Sequence, residues 1–146
     1  MIVDSSALVA VLRDESDAPA YAAVLASAEP LLMSAVSWTE AAVVVDGARD
    51  PAASRRFDRL VDLAGITVVP VNPAQASLAR QAYRDFGRGS GSRARLNFGD
   101  CFAYALASET GEPLLFKGED FIHTDLEAVP SGPPPGPPPG PDSDDG

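Results

Sequence analysis

The sequence predicts an α/β fold with a mainly parallel central sheet, and three observations support this. First, four short apolar segments have the length and composition of buried strands: residues 1–4, 31–33, 66–71 and 113–117. Second, longer segments whose apolar residues recur at helical spacing separate them. Third, the strand segments are continuously apolar rather than alternating, which is typical of parallel sheets. A chain of 146 residues with 45% hydrophobic residues can build one such core.

Helical spacing and capping residues predict six helices. They cover residues 5–15, about 18–28, 34–49, 51 to about 63, 73 to about 86 and about 98–108. Asp17 is available as the N-cap of the second helix, and Ser37 and Glu40 form a Ser-x-x-Glu capping box in the third. Pro51 fits the first turn of the fourth helix and Gly65 its C-terminal cap. A glycine-rich connector at 87–93 precedes the last helix, and a further short strand is predicted around 126–129.

A change in composition at residue 130 divides the chain into a domain, 1–129, and a tail, 130–146. The tail holds 8 of the 14 prolines and no residue larger than aspartate. Because such a segment cannot bury apolar surface, we expect it to be disordered with a bias towards polyproline II. Its three aspartates contribute −3 to the formal net charge of −10.

The composition also excludes several classes of protein. No apolar run approaches the roughly 18 residues that span a bilayer, so we expect no membrane association. The N-terminus lacks the basic and apolar regions of a secretory signal, and Cys101 is the single cysteine, so we expect a cytoplasmic protein. One cysteine and one histidine, His123, cannot form a zinc site.

Four acidic residues lie near the ends of the predicted strands. Asp4 closes the first strand, Glu40 lies in the helix after the second, Asp100 lies in the first turn of the last helix, and Asp120 follows the fourth strand. Each of these positions has a purely structural explanation as a helix cap, a capping-box partner or a turn residue. One interpretation is therefore a non-catalytic binding module whose acids are caps.

Taken together, the four acids indicate a metal site. The carboxyl ends of parallel strands meet at one edge of the sheet, where ligands bind. Carboxylates a few ångströms apart cannot all remain ionised without a counter-charge. Mg²⁺ or Mn²⁺ supplies that charge, accepts carboxylate oxygens and keeps coordination positions for phosphate. Because Asp100 lies near a helix N-terminus, we expect it to favour its ionised form.

Four segments of the chain, taken in order, closely resemble the PIN-domain ribonucleases of the VapC toxin family. They are MIVDSSALVAVL, the segment around Glu40, LNFGDCFAYALA and PLLFKGEDFIHTDLE. The resemblance covers residues 1 to about 129 and implies a PIN-like three-layer α/β/α fold. It further implies that Asp4, Glu40 and Asp100 bind Mg²⁺, with Mn²⁺ as a substitute.

The resemblance also implies roles for the remaining site residues. Asp120, in the G-x-D-F motif, is the fourth acid of the family pattern and is expected to position a second metal or the attacking water. Asp125 is a nearby fifth acid. The alternative that it shares the role of Asp120, or replaces Asp120 in it, stays open at this point. Ser6 matches the small hydroxyl residue beside the first acid.

The function implied by the resemblance is metal-dependent hydrolysis of RNA phosphodiester bonds by the toxin of a type II toxin–antitoxin system. The expected substrate is tRNA or rRNA. The expected partners are a second copy of the chain, in a homodimer, and a VapB-type antitoxin that blocks the site. The Pro/Gly tail is not part of the family pattern.

A cluster of arginines is the candidate RNA-binding surface. Five of the 11 basic residues lie within sixteen positions: Arg80, Arg84, Arg88, Arg93 and Arg95. Because most of them precede the Asp100 motif directly, we expect Arg84, Arg88, Arg93 and Arg95 to contact RNA, together with Ser6. The alternative is a solvated helix face followed by a basic loop.

An aspartate-based phosphatase or receiver-like domain is the remaining enzymatic alternative. A receiver needs an acid at the end of its third strand, where this chain has ITVVPV, and Lys117 alone does not restore that pattern. The phosphatase pattern needs a second aspartate two residues after the first, where Ser6 stands.

Overall fold

A parallel four-stranded sheet forms the centre of the molecule. The computed structural model describes residues 1–27 and 30–129. The strands are β1 (Ile2–Val3), β2 (Leu31–Ser34), β3 (Ile66–Val69) and β4 (Leu114–Leu115), in the order β3-β2-β1-β4. All pairings are parallel, which confirms the predicted sheet. The prediction of a disordered tail at 130–146 falls outside the described residues.

Six α-helices cover the two faces of this sheet. They are α1 (Ser5–Leu12), α2 (Ala18–Ser27), α3 (Ala35–Asp46), α4 (Pro51–Ala64), α5 (Pro73–Phe86) and α6 (Phe98–Thr110). Alternate residues of β1 separate two cores, since Ile2 packs with α5 and α6 whereas Val3 packs with α1 to α4. The result is the expected three-layer α/β/α arrangement. No helix in the described part of the chain is long and apolar enough to cross a membrane.

Side chains that cap the helices also set the positions of the acids. Asp4 is the N-cap of α1, and Asn97 and Asp100 form a reciprocal capping box at α6. The capping box predicted for Ser37 and Glu40 is wrong. Ser34 is the N-cap of α3, so Ser37 lies inside the helix and the Glu40 carboxylate is available for other contacts.

Several elements are shorter than the sequence predicts. Helix α1 ends at Leu12 rather than near residue 15, and Asp14 then adopts a left-handed backbone with φ of 52°. Strand β3 ends at Val69 because Pro70 has no N–H to donate to a ladder. The strand predicted at 126–129 is present only as one bridge between Ala128 and Leu114.

Candidate active site

Asp4 is the most buried of the predicted site residues, with 2% of its surface exposed. Its Oδ2 atom accepts hydrogen bonds from the Ser6 amide, at 3.0 Å, and from Ser6 Oγ, at 2.6 Å. Its Oδ1 atom is buried and has no hydrogen-bond donor among the described residues. Burial raises the pKa of Asp4, and the negative charge of Glu40 raises it further, against the opposing effect of the Ser6 hydrogen bonds.

Ser6 joins the ends of two strands. Its hydroxyl donates to Asp4 and accepts the Lys117 amide at 2.9 Å, which links the end of β1 to the residues that follow β4. The Lys117 ammonium is paired elsewhere, with Glu15 and with Asp17, the latter at 2.9 Å. The hydroxyl of Ser6 therefore makes hydrogen bonds within the protein, to Asp4 and to Lys117. Contact of Ser6 with RNA remains a prediction.

Glu40 reaches the site from the middle of α3. Ser5 Oγ donates to Glu40 Oε1 at 2.5 Å. The Glu40 carboxylate lies against the first turn of α6, where a Cβ added at Gly99 would overlap Glu40 Oε2. Glycine at this position therefore leaves the space that the carboxylate occupies beside Asp100.

Asp100 combines a structural role with a place in the acid cluster. Its amide donates to Asn97 Oδ1 and its Oδ2 accepts the Asn97 amide, both at 2.9 Å. Its Oδ1 receives no hydrogen bond from the described residues. Burial raises the pKa of Asp100 to about 7, with additional contributions from the charges of Asp4, Asp120 and Glu40. The expectation that Asp100 favours its ionised form was therefore wrong, because burial and like charge outweigh the helix N-terminus.

The two acids near the C-terminal end of the domain have different surroundings. Asp120 is exposed just before a short 3₁₀ helix (Phe121–His123), and its charge acts on Asp100. Asp125 instead accepts a hydrogen bond from the Tyr104 hydroxyl at 2.7 Å.

The four predicted acids therefore converge on the carboxyl edge of the sheet and repel one another there. Within residues 1–27 and 30–129, however, no three His, Cys, Asp or Glu side chains already surround one point closely enough to hold an ion. The fit to a hard divalent cation rests on the donor chemistry. Carboxylate oxygens are concentrated at one place, and the buried Oδ1 of Asp4 has no donor among the described residues.

The predicted arginines are all exposed. They are Arg80 and Arg84 on α5, and Arg88, Arg93 and Arg95 in the connector before α6. Two backbone hydrogen bonds, from the Arg88 amide to Leu96 O at 3.0 Å and from the Leu96 amide to Phe86 O at 2.9 Å, close this connector into a loop. Because Leu96 is followed at once by Asn97 and α6, the loop lies beside the helix end that carries Asp100.

A second group of arginines, not singled out from the sequence, lies elsewhere. Arg55, Arg56 and Arg59 are exposed on α4. Arg56 donates to the carbonyl oxygen of Leu12 at 3.1 Å. Helix α1 begins at the carboxyl ends of the strands, where the acids lie, and runs back along the sheet. Its last residue, Leu12, therefore lies towards the amino ends of the strands.

Sequence reasoning also missed three residues that shape the site. Ser5 holds Glu40, Gly99 makes room for Glu40, and Tyr104 holds Asp125. Ser5 and Gly99 are adjacent to predicted acids in the sequence, which is a usable signal, but neither contact is visible without the fold. Cys101 is buried, and burial raises its pKa to about 11, which agrees with a packing role rather than a nucleophilic one.

Comparison with known proteins places the molecule in a family. Residues 1–127 match the model of the PIN domain. The chain therefore belongs to the PIN-domain family. Ribonuclease VapC28 of Mycobacterium tuberculosis is 56% identical over 127 residues, which make up 87% of this chain and 96% of that protein. Ribonuclease VapC42 of the same species is 50% identical over 126 residues, with 86% and 96% coverage.

Solved structures agree on the fold. The M. tuberculosis toxin VapC20, described as cleaving the sarcin–ricin loop, superposes with a TM-score of 0.67 at 19% identity, covering 88% of this chain and 97% of that one. FitAcB of Neisseria gonorrhoeae superposes with a TM-score of 0.67 at 16% identity, covering 89% and 96%.

Within the PIN-domain family the chain is an endoribonuclease of the VapC type, the toxin component of a toxin–antitoxin system. This assignment rejects the two alternatives left open by the sequence, the non-catalytic module and the phosphatase or receiver-like domain.

Replacing Gly99 by alanine is expected to displace Glu40 and weaken Mn²⁺ binding about tenfold, the usual scale for disturbing residues that support metal ligands. Isothermal titration calorimetry measures this change. Ser108→Ala, exposed on the same helix, is the control and is expected to leave the affinity unaltered. Wild-type affinity in Gly99→Ala would show that the Glu40 carboxylate does not depend on this space.

Proposed function

We propose that the chain cleaves RNA with a divalent cation, Mg²⁺ or Mn²⁺ in its place, held by Asp4, Asp100 and Glu40. The observation that carries this proposal is the Oδ1 atom of Asp4, which is buried without a donor among the described residues while the Asp4 charge interacts with those of Glu40 and Asp100. A buried acceptor of this kind costs free energy unless a ligand satisfies it. When bound, the cation supplies Lewis-acid polarisation of the scissile phosphate and offsets the negative charge that develops on it.

The protein side chains have distinct tasks in this scheme. Asp4 and Asp100 present their Oδ1 atoms, since each Oδ2 is already held by a neighbouring donor. Glu40 is held by Ser5 and would supply the third carboxylate to the cation. Asp120, exposed at the rim, orients the attacking water and accepts its proton.

The substrate in this proposal is a structured RNA, either tRNA or rRNA. The exposed arginines of the connector lie next to the helix that carries Asp100, so in this proposal they contact the phosphate backbone beside the cleavage point. Sequencing the 5′ ends of RNAs after brief expression of the protein identifies the target.

We also infer a homodimer and a VapB-type antitoxin as partners, in a cytoplasmic setting. Large side chains are exposed around Phe98 (73%) on α6: Val43 (65%) and Val44 (39%) on α3 line one hollow with Phe98 and Glu40, and Tyr83 (49%) on α5 lines another with Phe98. Exposed apolar side chains grouped in this way are typical of protein–protein contact sites. The acids themselves offer a binding site for an arginine of the antitoxin. Sedimentation of the protein alone and with its antitoxin tests both inferences.

Replacing Asp4 by asparagine is expected to abolish RNA cleavage and the rise in melting temperature that Mn²⁺ gives the wild type. The variant without metal is expected to be at least as stable as the wild type, because burial already disfavours the Asp4 charge. Scanning calorimetry and a cleavage assay measure these effects. Asp58→Asn, exposed on α4, is the matched control. Cleavage at the wild-type rate by Asp4→Asn would remove the basis of the proposal.

Replacing Arg93 and Arg95 together by glutamine is expected to weaken RNA binding and reduce its dependence on salt. Loss of two phosphate contacts changes the slope of log K against log salt by about 1.5. Filter binding over a salt series measures this slope. The control is Arg55→Gln with Arg59→Gln, which removes the same charge from α4. An equal effect in both double variants would indicate a general effect of net charge instead of local contacts.

A further inference from the structure

The loop that carries Asp120 is anchored on both sides of that residue, whereas Asp120 itself is not. The loop runs from Lys117 to Leu126. At its start the Lys117 amide donates to Ser6 Oγ at 2.9 Å. After Asp120, Phe121 is buried and packs against Phe116 with ring centroids 5.1 Å apart. The Asp120 side chain is exposed and forms no capping hydrogen bond, so its position depends on the anchors around it.

The last anchor of the loop comes from the helix of Asp100. Tyr104 lies one turn after Asp100 on α6, so the two side chains share a face of the helix. Tyr104 is 8% exposed, packs against Phe86 with ring centroids 5.6 Å apart, and donates its hydroxyl to Asp125 Oδ1 at 2.7 Å. Burial, followed by the hydrogen bond to Asp125, raises the Tyr104 pKa, so the hydroxyl remains a donor at neutral pH.

We propose that Tyr104 and Asp125 are positioning residues, whose hydrogen bond fixes the loop so that Asp120 faces Asp100. The helix that contains Asp100 thereby also supports the loop of Asp120, through one hydrogen bond that adds to the anchors at Lys117 and Phe121. The proposal rests on the function argued above, and it gives Asp125 a role distinct from that of a metal ligand. Asp125 is needed as a hydrogen-bond acceptor, whereas Asp120 is needed as a carboxylate.

The two roles respond differently to asparagine and alanine. Asparagine at 125 keeps an oxygen that accepts the Tyr104 hydroxyl but loses the negative charge, whereas alanine loses both. At position 120, by contrast, the change to asparagine alone removes the negative charge that acts on Asp100. Asp125→Asn is therefore expected to keep the kcat and the loop protection that Asp125→Ala loses. Asp120→Asn is expected to lower kcat as much as Asp120→Ala does.

The experiment compares full-length variants in steady-state RNA cleavage with Mn²⁺ and in hydrogen exchange of the amides of residues 118–126. Tyr104→Phe and Asp125→Ala are each expected to lower kcat about tenfold with little change in KM, the scale of disturbed support for a catalytic group. The double variant is expected to be no worse than either single one, because both remove the same hydrogen bond. Exchange in the loop is expected to accelerate in these variants but not in Asp125→Asn.

Tyr83→Phe, an equal chemical change at an exposed tyrosine on α5, is the control and is expected to behave as the wild type. The proposal is overturned if Asp125→Asn is as inactive as Asp120→Asn, since Asp125 then acts through its charge. It is also overturned if Tyr104→Phe leaves both kcat and loop exchange unchanged. If the wild type fails to cleave RNA, the proposed function fails, and loop exchange in Tyr104→Phe against Tyr83→Phe still decides the anchoring.

Discussion

Electrostatic repulsion among carboxylates held at one edge of the sheet is the constraint on which the rest of the site depends. Burial and the charges of three neighbouring acids raise the Asp100 pKa to about 7, and burial raises that of Asp4 as well. A fold that holds acids in this way carries an energetic cost that water does not relieve. The positive charge of a divalent cation offsets this repulsion, so the arrangement that destabilises the fold without the ion favours binding of the ion.

The structure meets this cost with hydrogen bonds that serve two purposes. The Ser6 donors to Asp4 and the Asn97 amide to Asp100 cap helices and at the same time fix one oxygen of each carboxylate. A capping role for Asp4 and Asp100 is therefore compatible with a second role for the same carboxylates. A cap uses one oxygen of a carboxylate and leaves the other to face the site.

The acidic and the basic side chains come from different elements of the fold. The acids lie at the carboxyl edge of the sheet, whereas the arginines extend from α5 and the closed connector beside it. The formal net charge of −10 is for this reason a poor guide to RNA binding. What matters for a phosphate backbone is the local potential along its path, and this is set by where the arginines project.

The sequence by itself determined the parallel α/β fold, because strand and helix periods and boundary residues such as Pro51 and Gly65 are local properties of the chain. Its motifs also predicted four acids whose charges the structure brings together around Asp100. It misplaced the capping residue of α3, since Ser34 and Ser37 are equally good caps when viewed locally. Only the tertiary structure decided the fit of Glu40 over Gly99, the raised Asp100 pKa and the bond from Tyr104 to Asp125. These depend on burial and on contacts between residues distant in sequence, which no local pattern encodes.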